Sequence, residues 1–261
     1  EISYDQDPVK DVTFFSPKAQ ETLLIDVPRG ETRKVNISAR AFLSEKAKTG
    51  LKEQHLSFTL DKTPPLAPEI NGVTPGMTYM EAIPVTLSVP EGKAYLRITK
   101  EFTHRNIDGE VTFLEDPEKL LLECPSGDVV SYTLAAYSVD KAGNTSSEET
   151  HVTCIIDRKH LHVFPETVLR EERDVDTSIL SIEEGVELAK ESGRTTILLA
   201  PGVYSVTDPI YIDTPIEIRG SIEGNISSIK DIPTITLSPD FRGPVFRVGP
   251  KGELKLQGLH I

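Results

Sequence analysis

Tryptophan is absent from this chain, cysteine and methionine occur twice each, and aromatic residues make up only 6%. Two cysteines, Cys124 and Cys154, exclude a disulfide-dense scaffold and make no metal site by themselves. No window holds the ~18 uninterrupted apolar residues that a transmembrane helix needs, so membrane insertion is not expected. G-x-S-x-G, P-loop, H-E-x-x-H and C-x-x-C motifs are all missing. Basic residues are scarce: 28 Lys and Arg stand against 41 Asp and Glu, a net charge of -13. Residues 1–62 are balanced, so the acidic excess lies beyond them. Such a chain repels phosphate backbones, which argues against nucleic acid and anionic membrane surfaces as partners.

What remains is 261 residues with 38% apolar content, enough for two or more packed domains. An internal repeat organises the first part. Val12–Phe14 matches Val111–Phe113, and "LLIDVPRGE" at Leu23–Glu31 matches "LLECPSGD" at Leu121–Asp128. "ISARAFLSEKAKT" parallels "TLAAYSVDKAGNT", and "EQHLSFTLDK" parallels "ETHVTCIIDR", aligning His55 with His151 and Asp61 with Asp157. The repeat length is about a hundred residues. Its short apolar runs are rich in β-branched residues and bounded by turns such as Asp140–Asn144, which predicts β-sandwich domains. The second unit is complete, whereas the first matches only its later two thirds. "DKTPPLAP" at Asp61–Pro68 reads as an extended, semi-rigid linker.

The progression ending in "AAYSVDKAGNTSS" resembles the bacterial immunoglobulin-like domains strung along secreted and surface proteins. It is similar also to the C-terminal immunoglobulin-like module of chitobiases. The resemblance implies immunoglobulin-like sandwiches at 1–62 (incomplete at its start) and 63–158.

After Arg158 the pattern changes. "RKHLHVFPETVLREERDVDTS" reads as a charged connector with one strand-like stretch. "SIEEGVELAKESG" then predicts the one convincing helix. Ser181 and Glu184 form a capping box, Ile182, Val186 and Ala189 share a face, and Gly193 stands at the C′ position. A ladder of short runs follows: "TILLA", "PIYI", "PIEIRG", "TITL", "PVFRVG" and "LKLQGLHI". Corners such as Pro201-Gly202 separate them, with no intervening helices. That recurrence reads as a parallel β-helix, in which each coil stacks its strands on the next.

The helix, then "TILLAPGVY", then "IEIRG" and "LKLQGLHI", is similar to the N-terminal start of pectate-lyase-like right-handed β-helices, from about Ser178 to Ile261. In that family an amphipathic helix caps the open end of the solenoid. The fold class expected is therefore mainly β: immunoglobulin-like β-sandwich repeats plus, over 159–261, the helix-capped first coils of a right-handed parallel β-helix. The chain is expected to be a piece of a larger polypeptide, with further coils after Ile261. In the family the catalytic and calcium-binding residues lie on middle coils, so no catalytic residue of this chain is implied.

Candidate chemistry is sparse. Glu171, Glu172, Asp174 and Asp176 are closely spaced oxygen donors, of which Glu172, Asp174 and Asp176 are the metal candidates. Calcium is the one cofactor they would take. Arg170 and Arg173 interleave with them, which favours a solvated linker. His160 and His162 point to one side of a strand, the geometry of a two-histidine metal grip, but no third ligand has recognisable spacing. His55 and His151 recur in both repeats and read as packing or a cross-strand contact. Cys124 and Cys154 align with Val27 and Phe58, which favours buried thiols, with a disulfide as the open alternative. Tyr204 and Tyr211 could flank a sugar-binding groove, though core or rim packing accounts for them as well.

Two functions fit. The first is a non-catalytic part of a large secreted or cell-surface bacterial protein with a structural, adhesive or ligand-presenting role. A monomer is expected, with a polysaccharide or a surface protein as partner. The alternative is the accessory N-terminal portion of a polysaccharide-acting β-helix enzyme, a lyase or glycoside hydrolase, whose catalytic coils are missing.

Overall fold

The computed structural model describes residues 2–4, 24–39, 53–103, 109–221 and 232–261. These are mainly β, in several sheets, with one α-helix among the described residues. None of their helices is long and apolar enough to cross a membrane. Val12–Phe14 and most of the "ISARAFLSEKAKT" stretch lie outside the described residues. The chain divides into two compact units. One comprises Glu1–Pro68, Val89–Tyr95 and Tyr137–Glu149; the other comprises Glu69–Ser88, Leu96–Ala136 and Thr150–Ile261.

The first unit contains the antiparallel sheet β1 (Ile2–Tyr4), β2 (Thr32–Ala39) and β3 (Gln54–Asp61), in that order. Val35 is its fully buried residue. A tight turn leads into β2: Glu31 N–H donates to Pro28 O over 3.2 Å, and Gly30 N–H to Lys62 O over 2.9 Å. Gly30 has φ +88°. The same bonds recur around Gly127, from Asp128 N–H to Pro125 O (3.1 Å) and from Gly127 N–H to Arg158 O (3.1 Å). Gly127 has φ +81°, again a value that glycine adopts without a Cβ penalty. The Pro-x-Gly match in the sequence therefore corresponds to a shared hairpin closure. Ser38 Oγ lies 2.9 Å from His55 Nδ1 on the adjacent strand, a cross-strand contact as expected for this position. The Asp140–Asn144 turn also lies in this unit, and Asn144 N–H and Nδ2 donate to the Asp140 carboxylate, each over 2.8 Å.

The remaining strands before the chain changes character are β4 (Glu69–Asn71), β5 (Thr78–Tyr79), β6 (Ile83–Ser88), β7 (Lys93–Phe102), β8 (Glu110–Glu115), β9 (Leu120–Leu122), β10 (Val129–Val139) and β11 (Thr150–Asp157). β4, β6 and β9 form one sheet, while β5, β11, β10, β7 and β8 are consecutive in a second. In the second unit, Ile83, Val85 and Leu122 of the first sheet share a core with Leu96, Ile98, Val130, Leu134, Cys154 and Ile156 of the other. β11 alternates because His151, Thr153 and Ile155 point outward while Val152, Cys154 and Ile156 point in. Cys124 and Cys154 are free, buried thiols in this core.

The same unit continues through β12 (His160–Val163), a 3₁₀ turn at Arg170–Glu172, β13 (Val175–Asp176), α1 (Ile182–Ser192), β14 (Thr196–Leu199), β15 (Val203–Val206), β16 (Ile210–Ile212), β17 (Pro215–Gly220), β18 (Thr234–Leu237), β19 (Phe246–Val248) and β20 (Glu253–Gln257). Every pairing among β12 and β14–β20 is parallel. β12, β14, β17 and β20 form a four-stranded ladder, with β15 on β18 and β16 on β19 as two flanking pairs. Parallel strands buried on one face give continuous columns, here Leu161, Ile197, Ile218 and Leu256 in register. Leu161, Ile197 and Ile218 sit in one core with Tyr204, Ile212 and Ile235.

α1 begins where the sequence predicts. Ser181 Oγ accepts from Glu184 N–H over 3.1 Å, Glu184 Oε2 accepts from Leu180 N–H, and Gly193 ends the helix at φ +70°. Its buried residues Ile182, Val186 and Ala189 enter the core of the parallel ladder. Pro201-Gly202 is the corner between β14 and β15. A Cβ on Gly202 would stand 2.6 Å from Pro165 Cγ, so only glycine lets the chain turn this close to the Pro165 ring.

Two short strands tie the second unit together. β5 pairs in parallel with β11 on one side and with β13 on the other. Thr78 N–H donates to Asp174 O over 2.7 Å. Arg194 Nη2 donates to Met80 O over 2.8 Å and meets Glu81 Oε1 at 3.0 Å. The stretch expected to be a charged connector is thus hydrogen-bonded structure.

Candidate functional site

The turn from β11 into β12 gathers three titratable side chains. Asp157 ends β11, Arg158 and Lys159 make the turn, and His160 and His162 share the outward face of β12. Leu161 and Val163 alternate with the histidines and point into the core, which forces both imidazoles to the opposite face.

The Asp157 carboxylate is held at both oxygens. Oδ1 accepts from the backbone N–H groups of Lys159 and His160, each over 2.9 Å. Oδ2 accepts from His160 Nδ1 over 2.8 Å and from His162 Nε2 over 2.9 Å. The side chains of Asp157, His160 and His162 are 6%, 7% and 15% exposed. Burial alone would raise the Asp157 carboxyl. The hydrogen bonds from His160, His162 and the backbone overcome it and keep the group well below the usual carboxylate range.

An ionised carboxylate only accepts, so His160 carries its proton on Nδ1. Its Nε2 then offers a lone pair toward Arg219 Nη2, 3.5 Å away. Arg219 belongs to the outward row His162, Leu198, Arg219 and Gln257 of the four-stranded ladder. The neighbouring outward row is His160, Thr196, Glu217 and Lys255, in which Lys255 pairs with Glu217 at 3.2 Å. A groove of about 390 Å³ lies along this face, lined by Leu198, Arg219, Gly220, Ser221, Gln257 and Gly258.

The third partner of the two-histidine grip is therefore Asp157, three residues before His160. The signal was the D-x-x-H-x-H spacing, which becomes a cluster only because a two-residue turn folds the carboxylate back over the strand. The acidic candidates are placed otherwise. Asp176 accepts from Arg170 over 3.2 Å, and Asp174 uses its backbone carbonyl toward Thr78. Glu172 lies exposed in the 3₁₀ turn. Among the described residues, the convergent group of three His, Cys, Asp or Glu ligand atoms is Asp157, His160 and His162, without Glu172, Asp174 or Asp176.

The two tyrosines part company. Tyr204 is buried, and its hydroxyl donates to Val163 O and Ala200 O, each over 2.9 Å. Tyr211 is 57% exposed, with the Arg247 guanidinium 5.8 Å from its ring centre and Nη1 3.2 Å from its hydroxyl oxygen.

No protein-family model matches the chain, and no curated protein matches it. Among solved structures, domains d3–d4 of the rat CD45 extracellular region align at 9% identity and a TM-score of 0.22, covering 58% of this chain and 79% of that one. A pectate lyase of Erwinia chrysanthemi in complex with tetragalacturonic acid aligns at 11% identity and a TM-score of 0.21, over 65% of this chain and 51% of that one. A family 28 exopolygalacturonase of Yersinia enterocolitica gives 10% identity and a TM-score of 0.21, over 74% of this chain and 40% of that one. The chain thus spans about half the length of the pectate lyase and two fifths of the exopolygalacturonase. These overlays are too loose to establish a shared overall arrangement.

Proposed function

We propose that the chain is a non-catalytic, ligand-presenting segment of a large secreted or cell-surface bacterial protein. In this reading, immunoglobulin-like β-sandwiches over 1–62 and 63–158 lead into the helix-capped first coils of a right-handed parallel β-helix over 159–261. The observation that carries it is β5, bonded to β11 on one edge and to β13 on the other. A presenting arm must transmit position, and continuous backbone bonding between its parts does so where a loose tether does not. The surface it would present is the outward face of the parallel ladder, where Arg219, Ser221 and Gln257 surround the groove. Their donors suit the hydroxyl and carboxylate oxygens of a polysaccharide.

The test is calorimetric titration of the chain with neutral and acidic polysaccharides, together with an assay for chain cleavage. Binding without cleavage, weakened by Arg219→Ala, is expected. Release of cleaved product would overturn the non-catalytic reading, and failure of every polysaccharide to bind would overturn the assignment of the groove.

A further inference from the structure

We infer that Asp157, His160 and His162 form a binding site for a divalent cation of the zinc class, independent of the polysaccharide reading. One carboxylate oxygen and two imidazole nitrogens, all within 4.8 Å of one another, make an N₂O donor set. Zinc, cobalt and copper favour such a set, while magnesium and calcium favour oxygen alone. Loaded, the site is three protein ligands and a water in the fourth position.

The carboxylate is oriented in advance. Its Oδ1 is held by the N–H groups of Lys159 and His160, leaving Oδ2 turned to the imidazoles. Bonds from an outer shell to a ligating carboxylate are what keep such ligands in place. One carboxylate offsets one of the two charges of a dication, so the loaded site carries a net charge of +1 unless hydroxide fills the fourth position.

Two adjustments are required. Donor atoms around a tetrahedral zinc stand roughly 3.4 Å apart, given bonds of about 2.0–2.1 Å. The present gaps to Oδ2 are 2.8 and 2.9 Å, so each opens by about half an ångström. The ring protons must also leave the coordinating nitrogens. For His160 the proton moves to Nε2, which faces the Arg219 guanidinium at 3.5 Å. Arg219 thereby favours the hydrogen-bonded state over the loaded one, and removing it should tighten the metal.

The experiment titrates chelator-treated full chain with Zn²⁺ by calorimetry and with Co²⁺ by visible absorption. NMR of the imidazole nitrogens follows on the parent protein. One ion per chain is expected, with a tetrahedral cobalt spectrum and shifts at His160 and His162. His162→Gln keeps an N–H donor for Asp157 and loses the ligand, so it should fold and bind at least about 100-fold more weakly. Arg219→Gln, which can accept from His160 Nε2–H, should bind more tightly than the parent. No stoichiometric binding, unchanged affinity in His162→Gln, unmoved His160 and His162 signals, or weaker binding by Arg219→Gln would each overturn the site.

Discussion

Ile218→Ala probes the stacked column most sharply. Ile218 is fully buried, in register with Ile197 on one neighbouring strand and Leu256 on the other. The substitution removes three carbon groups, worth roughly 2.4 kcal/mol at about 0.8 kcal/mol each. The residual cavity adds to this, because β-strands locked on both edges cannot close over the gap, giving about 3–4 kcal/mol in all. With a urea slope of about 1–3 kcal/mol/M, the midpoint falls by roughly 1–4 M. Leu256→Ala is the internal control: Leu256 occupies the same column but is 38% exposed, so its cost should be clearly smaller. Urea unfolding followed by far-UV circular dichroism measures both. A cost below about 1 kcal/mol for Ile218→Ala, or a larger one for Leu256→Ala, would refute the column as the core of the parallel part.

Gly202→Ala should destabilise by roughly 2 kcal/mol or more, since its Cβ meets Pro165 Cγ at 2.6 Å. Gly76→Ala, at φ +76° with nothing within 4 Å of the added Cβ, should cost about 1 kcal/mol, the conformational term alone. Thermal melts of the two variants check the difference. Burial raises the Tyr204 hydroxyl above its ordinary value and pushes Tyr132 up to about 12. A raised folded-state pKa contributes stability that is complete below about pH 10 and is lost as pH rises beyond it. Stability should therefore fall steeply above pH 10, and Tyr204→Phe should be less stable at pH 7 but show a shallower alkaline loss, measured by urea midpoints across that range.

Much of the secondary structure was legible for local reasons. The Ser181–Glu184 capping pair and Gly193 mark α1 because helix ends need specific side chains and backbone angles. "TILLA", "PIYI" and "PIEIRG" read as strands because their buried face needs branched apolar residues. The repeat was visible at Gly30 and Gly127 because both closures demand a positive φ. β5 and β13 were not legible: two residues carry no periodicity, and their pairing depends on chain distant in sequence. The site was half legible. Strand alternation places His160 and His162 together, but Asp157 joins them through a turn that no spacing rule for metal ligands describes. The acids at Glu172, Asp174 and Asp176 are close in sequence but interleave with Arg170 and Arg173, which favours a charged linker over a ligand set, and Asp176 meets Arg170 at 3.2 Å.

The central claim is that the two-sheet part of the second unit and its parallel ladder behave as one body, joined through β5, β13 and Arg194. Native-state hydrogen exchange in increasing urea tests it directly, by comparing amides of β10 and β11 with those of β14 and β17. The account predicts that both sets reach exchange through the same opening, with the same free energy and the same urea dependence. Exchange of the β14 and β17 amides through a separate, lower-energy opening, while β10 and β11 stay protected, would contradict it.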